Sequence, residues 1–273
     1  MPTYGALAPK KDLRNYKVCA VDSNALPSCY NLSDFYSPKV KNQKNTASCV
    51  AHAISSVMEY YAYKEHDIAD PMSTEWIYGN QRRYNGRTEP GMYMLDAVKI
   101  LAKYGEVFNS DCSGNNEVTK CFDHVESINE NTITCFDISS YAVCPSQLDM
   151  KYAIYNFGPI IASIKWYDSY YLNNYQQLIQ DTESDYGYHC LYIYGWNEKG
   201  WLAQNSWGEF WGNGGRFVIP YNIEIEEAYS IVDADDDNII VPNSNSNSFL
   251  EIFYKIINFF WNLGTKLLRH FKK

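Results

Sequence analysis

A chain of 273 residues, 46% of them hydrophobic, can bury a core the size of one large domain or two closely packed halves, which excludes a disordered or fibrous protein over most of its length. The formal charge of −9, with no stripe of basic residues interleaved with aromatics, excludes a polyanion-binding surface and with it nucleic acid as a partner. Eight cysteines (Cys19, Cys29, Cys49, Cys112, Cys121, Cys135, Cys144, Cys190) hold no C-x-x-C pair, so neither a zinc knuckle nor a dithiol redox site is expected and no metal is called for.

Residues 1–30 carry little periodicity and read as an extended leader without the apolar core of a secretory signal, so the compartment stays open. From Cys49, the residues Val50, Ile54, Val57 and Tyr61 recur at helical spacing, with Ser48 as N-cap. A second helix is expected from Ser73 to Tyr84, capped by Ser73 or Thr74, and a third from Tyr93 to Tyr104, stopped by Gly105. Beyond Cys135 the pattern turns to short runs rich in Ile, Val and Tyr: Ile160–Ile164, Cys190–Tyr194, Trp201–Gln204 and Phe217–Ile219. Helices first and antiparallel strands afterwards make an α+β arrangement of two segregated halves, with a cleft between them as the place for a site. With Cys49 set aside as a reactive thiol, the intervals Cys19/Cys29, Cys112/Cys121 and Cys135/Cys144 could each close a small loop, leaving Cys190 over.

The acidic stretch Asp233–Asp237 lacks the glycine and terminal glutamate of a calcium loop. It leads into a polar Asn/Ser linker, so residues 233–248 separate the globular part from residues 249–273. There Phe249, Phe253, Ile256, Ile257, Phe260, Leu263, Leu267 and Phe271 recur at helical spacing, and five Lys/Arg stand against one Glu. This pattern is that of an amphipathic helix suited to a membrane surface; a spanning helix needs about 20 mostly apolar residues, and Glu251, Lys255, Asn258, Asn262 and Lys266 interrupt this one, so lying on a membrane and crossing it imperfectly both stay open.

The chemistry is concentrated in residues far apart in sequence. A thiol at the first turn of a helix is favoured as thiolate, and Cys49 holds that position. Gln43, six residues earlier, offers an amide to a developing oxyanion. His189 heads an apolar strand in Gly187-Tyr188-His189-Cys190, and Asn205 opens Asn205-Ser206-Trp207-Gly208-Glu209-Phe210-Trp211-Gly212-Asn213-Gly214-Gly215. His189 and Asn205 follow Cys49 by 140 and 156 residues. This set resembles the papain, or cathepsin-type, cysteine peptidases, in which the His and Asn follow the nucleophile by about 130–150 residues. Gly158-Pro159-Ile160-Ile161-Ala162 also matches the Gly-Pro-led strand of that family.

The resemblance implies a papain-like fold over residues 31–232: a helical left half, an antiparallel β-rich right half, and the active site in the cleft. It implies hydrolysis of protein or peptide substrates through an acyl-enzyme on Cys49, with His189 as proton partner, Asn205 orienting the imidazole, Trp207 shielding that bond, and Gln43 in the oxyanion hole. It further assigns Gly91 and Met92 to the backbone that pairs with substrate, and Ser163 and Cys190 to the pocket for the side chain two residues before the cut. No cofactor is implied. The usual Cys-Gly-Ser-Cys-Trp is here Thr46-Ala47-Ser48-Cys49-Val50, so one family disulfide is lost, in the manner of divergent bacterial and viral members. The usual long inhibitory pro-region is also missing by that comparison, and residues 1–30 could cross the cleft as a short one. His52 reads as structural, since a base on the nucleophile's own helix cannot reach across the scissile bond, and His66, His124 and His270 read as surface residues. The competing reading is a catalytically silent member kept as a binding or structural protein and tethered to a membrane by residues 249–273.

Overall fold

From Cys49 to Ala62 every residue of the first long helix, α1 (Cys49–His66), is buried. Small and apolar side chains occur on all its sides, so it runs through the interior and not along a surface. Ser48 stands at its N-cap, but with φ −113° and ψ 21° it makes no side-chain cap. Its hydroxyl meets Thr46 Oγ1 at 2.7 Å and His52 Nδ1 at 3.3 Å, so no cap side chain consumes the first-turn N–H groups.

The structure is a computed structural model describing residues 4–10, 12, 15–19, 26–113, 118–173, 176–180, 185–232 and 239–240. The chain divides into a body of residues 1–129 and 133–241 and a second unit of residues 130–132 and 242–273, of which the described part is a single 3-10 turn, Glu130–Thr132. The linker and amphipathic tail expected at 233–273 lie outside the described residues, save the two-residue strand at 239–240. Among the described residues no helix is long and apolar enough to cross a membrane.

In the body, β1 (Tyr30–Asn31) precedes α1, and α2 (Thr74–Asn85) and α3 (Met94–Tyr104) follow it. Ser73 caps α2 by accepting the Trp76 N–H, and Gly105 closes α3, both as the sequence suggests. Sequence periodicity did not reveal β2 (Glu106–Val107), α4 (Val118–Ser127), β3 (Cys135–Phe136), β4 (Ser140–Val143) or α5 (Gln147–Asn156). Arg82 of α2 holds α4 through Glu126 and Asp123 at 2.6–2.7 Å.

The second half is β5 (Ile160–Tyr167), the hairpin β6 (Tyr170–Leu172) and β7 (Leu178–Gln180), β8 (Tyr186–Asn197), β9 (Gly200–Gln204), β10 (Arg216–Pro220) and β11 (Glu227–Val232). An antiparallel sheet runs β10-β9-β8-β5-β11-β4, with β1 paired to the far end of β8. A small sheet joins β2 and β3 to β12 (Ile239–Ile240). This is the α+β fold expected. All eight cysteines are unbridged, which corrects the three small loops considered above. Cys112 instead faces Glu75, while Cys135 and Cys144 belong to separate sheets.

α1 joins the halves, its Tyr61 hydroxyl reaching the Ile231 carbonyl at 2.9 Å. It also carries a buried charge. Glu59 is 2% exposed, accepts the Met72 N–H at 2.9 Å and pairs with Lys41 at 2.7 Å. Nearby Glu106, bonded to Ser55 at 3.2 Å, is pushed well above the carboxylate range by burial, so a single lysine suffices for the two acids. Replacing Lys41 by Met strands the Glu59 charge and is expected to cost about 3 kcal/mol in a urea melt. The double variant Lys41→Met/Glu59→Met should recover part of that loss.

Candidate active site

Strand pairing determines which side chains meet. β9 runs antiparallel to β8 and ends at Gln204, opposite Tyr192, so Asn205 emerges beside the earlier part of β8 where His189 stands. His189 Nε2 lies 2.8 Å from Asn205 Oδ1, and the same oxygen accepts the Ser206 N–H at 2.7 Å. An oxygen that already accepts a backbone N–H must accept from the ring as well, so His189 carries its proton on Nε2 and keeps a lone pair on Nδ1. Nδ1 has no hydrogen-bond partner among the described residues.

Residues 41–43 form an edge against 206–208, with Gln43 N–H to Ser206 O at 2.8 Å and Gly208 N–H to Lys41 O at 2.9 Å. The Gln43 amide is fixed by the Ser206 hydroxyl (2.5 Å) and donates to Thr46 O (2.7 Å), three residues before Cys49. The Cys49 sulfur, at the head of α1, receives the Cys190 N–H at 3.5 Å. The start of α1 therefore abuts the strand that bears His189, which brings Gln43, Cys49, His189 and Asn205 into one buried region.

Aromatic rings surround the imidazole. Trp207 stacks on it at 4.8 Å and 29°, Trp166 meets it edge-on at 5.2 Å, and Trp211 packs on Trp207 at 5.3 Å. Trp166 was not singled out from sequence, yet alternation along β5 gives it away: Ile164 sits opposite His189, and Trp166, two residues on, shares that face. His52 has the structural role expected, its Nδ1 2.9 Å from the Ser48 carbonyl.

The opposite face of the same strands carries Ser163, which pairs with Cys190 on one side and Glu227 on the other. Glu227 was missed because its strand lies next to a run of acidic residues that reads as solvated. Its Oε1 has no partner among the described residues, and burial raises its carboxyl to about 7. It lines a cavity of about 670 Å³ with Pro9, Asp12, Met150, Ile225 and Tyr229.

The leader crosses this site. Met92 N–H donates to Gly5 O at 2.8 Å, Leu7 N–H to Met92 O at 3.0 Å, and Ala6 N–H to Tyr188 O at 3.2 Å, so the Met92 backbone is engaged by the chain's own N-terminal arm, whereas the Gly91 N–H donates to the Tyr78 hydroxyl at 3.0 Å. A side-chain carbon on Gly5 would collide with the Ala47 carbonyl, which leaves room for glycine alone. Tyr4 bonds Asp168 at 2.5 Å, Lys10 pairs with Asp96 at 2.8 Å and Asp12 with Lys99 at 3.1 Å. Residues 16–18 then add to the edge at Val143. Under the arm, burial raises the Cys49 thiol to about 11 despite N–H groups of Cys190, Gly5, Ala6 and Val50 that favour thiolate, and lowers His189 to about 4. The pair is neutral in this closed form, not the ion pair that the resemblance implies.

The family model for papain family cysteine proteases matches residues 28–233, and this chain belongs to that family. It is 24% identical over 191 residues to a cysteine protease of Blomia tropicalis, covering 65% of this chain and 56% of that one. It is 37% identical over 90 residues to a gut-specific cysteine proteinase of Caenorhabditis elegans, covering 31% of this chain and 27% of that one. The chain thus spans about half or less of the length of these curated relatives. The fold is similar to that of xylellain, a cysteine protease from Xylella fastidiosa, with a TM-score of 0.67 at 20% identity over 84% of this chain and 95% of that one.

The shifts have a direction that can be tested. A neutral, buried His189 stabilises the closed form fully above its ordinary 6.5, and that contribution is lost as pH falls toward about 4. Acid should therefore loosen the arm, seen as amide protection factors at Gly5–Leu7, corrected for intrinsic exchange, that fall below pH 6.5. At neutral pH, iodoacetamide should alkylate Cys49 slowly in the parent and faster in Gly5→Val, whose rate profile should shift to lower pH.

Proposed function

We propose that this chain is a cysteine-type peptidase, most simply an endopeptidase acting on extended protein segments, held closed by its N-terminal arm. The observation that carries the reading is the Nε2-protonated His189 tied to Asn205, with its Nδ1 lone pair unengaged in the same buried region as a cysteine at a helix start. Once the arm leaves, water and substrate relieve the desolvation that keeps both groups neutral. The Cys49 proton then passes to His189 Nδ1. The thiolate attacks the scissile carbonyl carbon, and the oxyanion is met by the Cys49 backbone N–H and the Gln43 amide. His189 returns the proton to the leaving amine as the C–N bond breaks, then draws a proton from the water that hydrolyses the thioester. Asn205 holds the ring in plane throughout, and Trp207 keeps water from that bond.

The arm escapes cleavage for a geometric reason. Near the sulfur it presents the N–H of Gly5, its Ala6 N–H donates to the Tyr188 carbonyl, and its pairing runs parallel to Met92. Backbone donors at the sulfur leave the thiol no aligned carbonyl to attack. An epoxide probe of papain-like enzymes should label full-length protein slowly, label a variant lacking residues 1–19 quickly, and fail on Cys49→Ala in either form. His189→Ala should slow labelling by roughly 100-fold or more, the range of a lost general base. Unlabelled Cys49 after arm removal would mean a silent binding protein.

Glu227, paired with Ser163 and across β5 from Cys190, supports a preference for a basic substrate side chain in that pocket. In the arm-free enzyme, Glu227→Gln should lower kcat/KM for a substrate with Arg at this position by about tenfold, relative to one with Leu, as loss of one charge pair would. The preference of the unsubstituted arm-free enzyme should fade in acid, where the carboxylate takes up its proton.

A further inference from the structure

Glu75 lies in the first turn of α2, Cys112 ends the turn after β2, and His124 lies on α4. Their donor atoms converge. His124 Nδ1 is 3.1 Å from Glu75 Oε2, Cys112 Sγ is 3.7 Å from the same oxygen, and all three ligand atoms fall within 4.8 Å of one another. Glu75 and Cys112 are buried, whereas the His124 side chain is 42% exposed, at the surface as the sequence suggests, which opens a path from solvent.

We propose that Glu75, Cys112 and His124 bind a zinc ion that ties the turn at 108–112 and α4 to the start of α2. The donor set is that of zinc: one thiolate, one imidazole and one carboxylate. Their spacing fits too. With bonds of about 2.0–2.1 Å to nitrogen and oxygen and about 2.3 Å to sulfur, the edges of a tetrahedron are roughly 3.3 Å for N···O and 3.6 Å for S···O, close to the 3.1 Å and 3.7 Å of those two pairs, with the S···N pair inside 4.8 Å. Two protons, from the thiol and the ring, now converge on one carboxylate oxygen. A dication takes the place of both, and thiolate plus carboxylate cancel its charge in a buried setting. Binding expels the Cys112 proton and the His124 Nδ1 proton, the neutral ring keeping its N–H on Nε2 so that the Nδ1 lone pair is the ligand, and needs no oxidant or reductant. Water on the His124 side fills the fourth position.

The donors sit on a fixed frame. The Ser73 hydroxyl accepts the Trp76 N–H at 3.1 Å and donates to the Cys112 carbonyl at 2.6 Å, while Ser73 N–H donates to Val107 at 2.9 Å. No sequence motif announces the set, because its members are 37 and 12 residues apart.

The test uses the full chain, handled with a phosphine reductant in place of competing thiols, loaded with Zn²⁺ or Co²⁺ alone and dialysed. About one equivalent of zinc should remain by elemental analysis in the parent and in Cys49→Ala, which removes the cleft thiol as a rival ligand. Co²⁺ should give a thiolate-to-metal charge-transfer band that is absent in Cys112→Ser. His124→Gln, on the exposed side, should bind zinc at least tenfold more weakly and lose the rise in Tm that zinc gives the parent. If Cys112→Ser fails to fold, His124→Gln decides alone. A parent without retained zinc, zinc held equally well by His124→Gln, or zinc lost with Cys49→Ala would each overturn the site.

Discussion

The seating of the first turn of α1 against β8 is the constraint on which the rest of the molecule depends. One N–H to sulfur contact, from Cys190 to Cys49, marks the place where a helix of the first half meets the central strand of the second. β8 is twelve residues long and shared by three neighbours, so its position is set by β5, β9 and β1 together. α1 is buried along most of its length and is anchored to the far strand β11 through Tyr61. Neither element can shift without disturbing packing on every side, so the sulfur and the imidazole are held in place by the core itself.

Much of this was legible in the residues. The Asn205–Gly215 run, the strand at His189 and the helix start at Cys49 each had a local physical signature, and two helix boundaries followed from Ser73 and Gly105. What escaped lacked such a signature. α4 and α5 are short, and β11 lies beside acidic residues, so its half-buried Glu227 resembled a solvated charge. Ser48 has the right residue type for a cap but the wrong backbone angles, a distinction that only coordinates make. The triad Glu75, Cys112 and His124 is assembled by tertiary packing of three elements, and no linear spacing encodes it.

Burial holds the Cys49 and His189 pair neutral in the closed cleft. The same helix start that favours a thiolate is outweighed when a strand of backbone and apolar side chain replaces water over the sulfur. Covering the site therefore does two things: it blocks access, and it disarms the nucleophile by withholding the dielectric that charge separation needs.

The unbridged state of all eight cysteines has a further consequence. A scaffold held together by packing, strand ladders and a buried ion pair owes nothing to cross-links, so the electron-rich conditions that preserve a nucleophilic sulfur leave the architecture untouched. Chemical readiness and mechanical integrity are thereby uncoupled: an environment that would unstitch a disulfide-laced relative is harmless to this chain's frame.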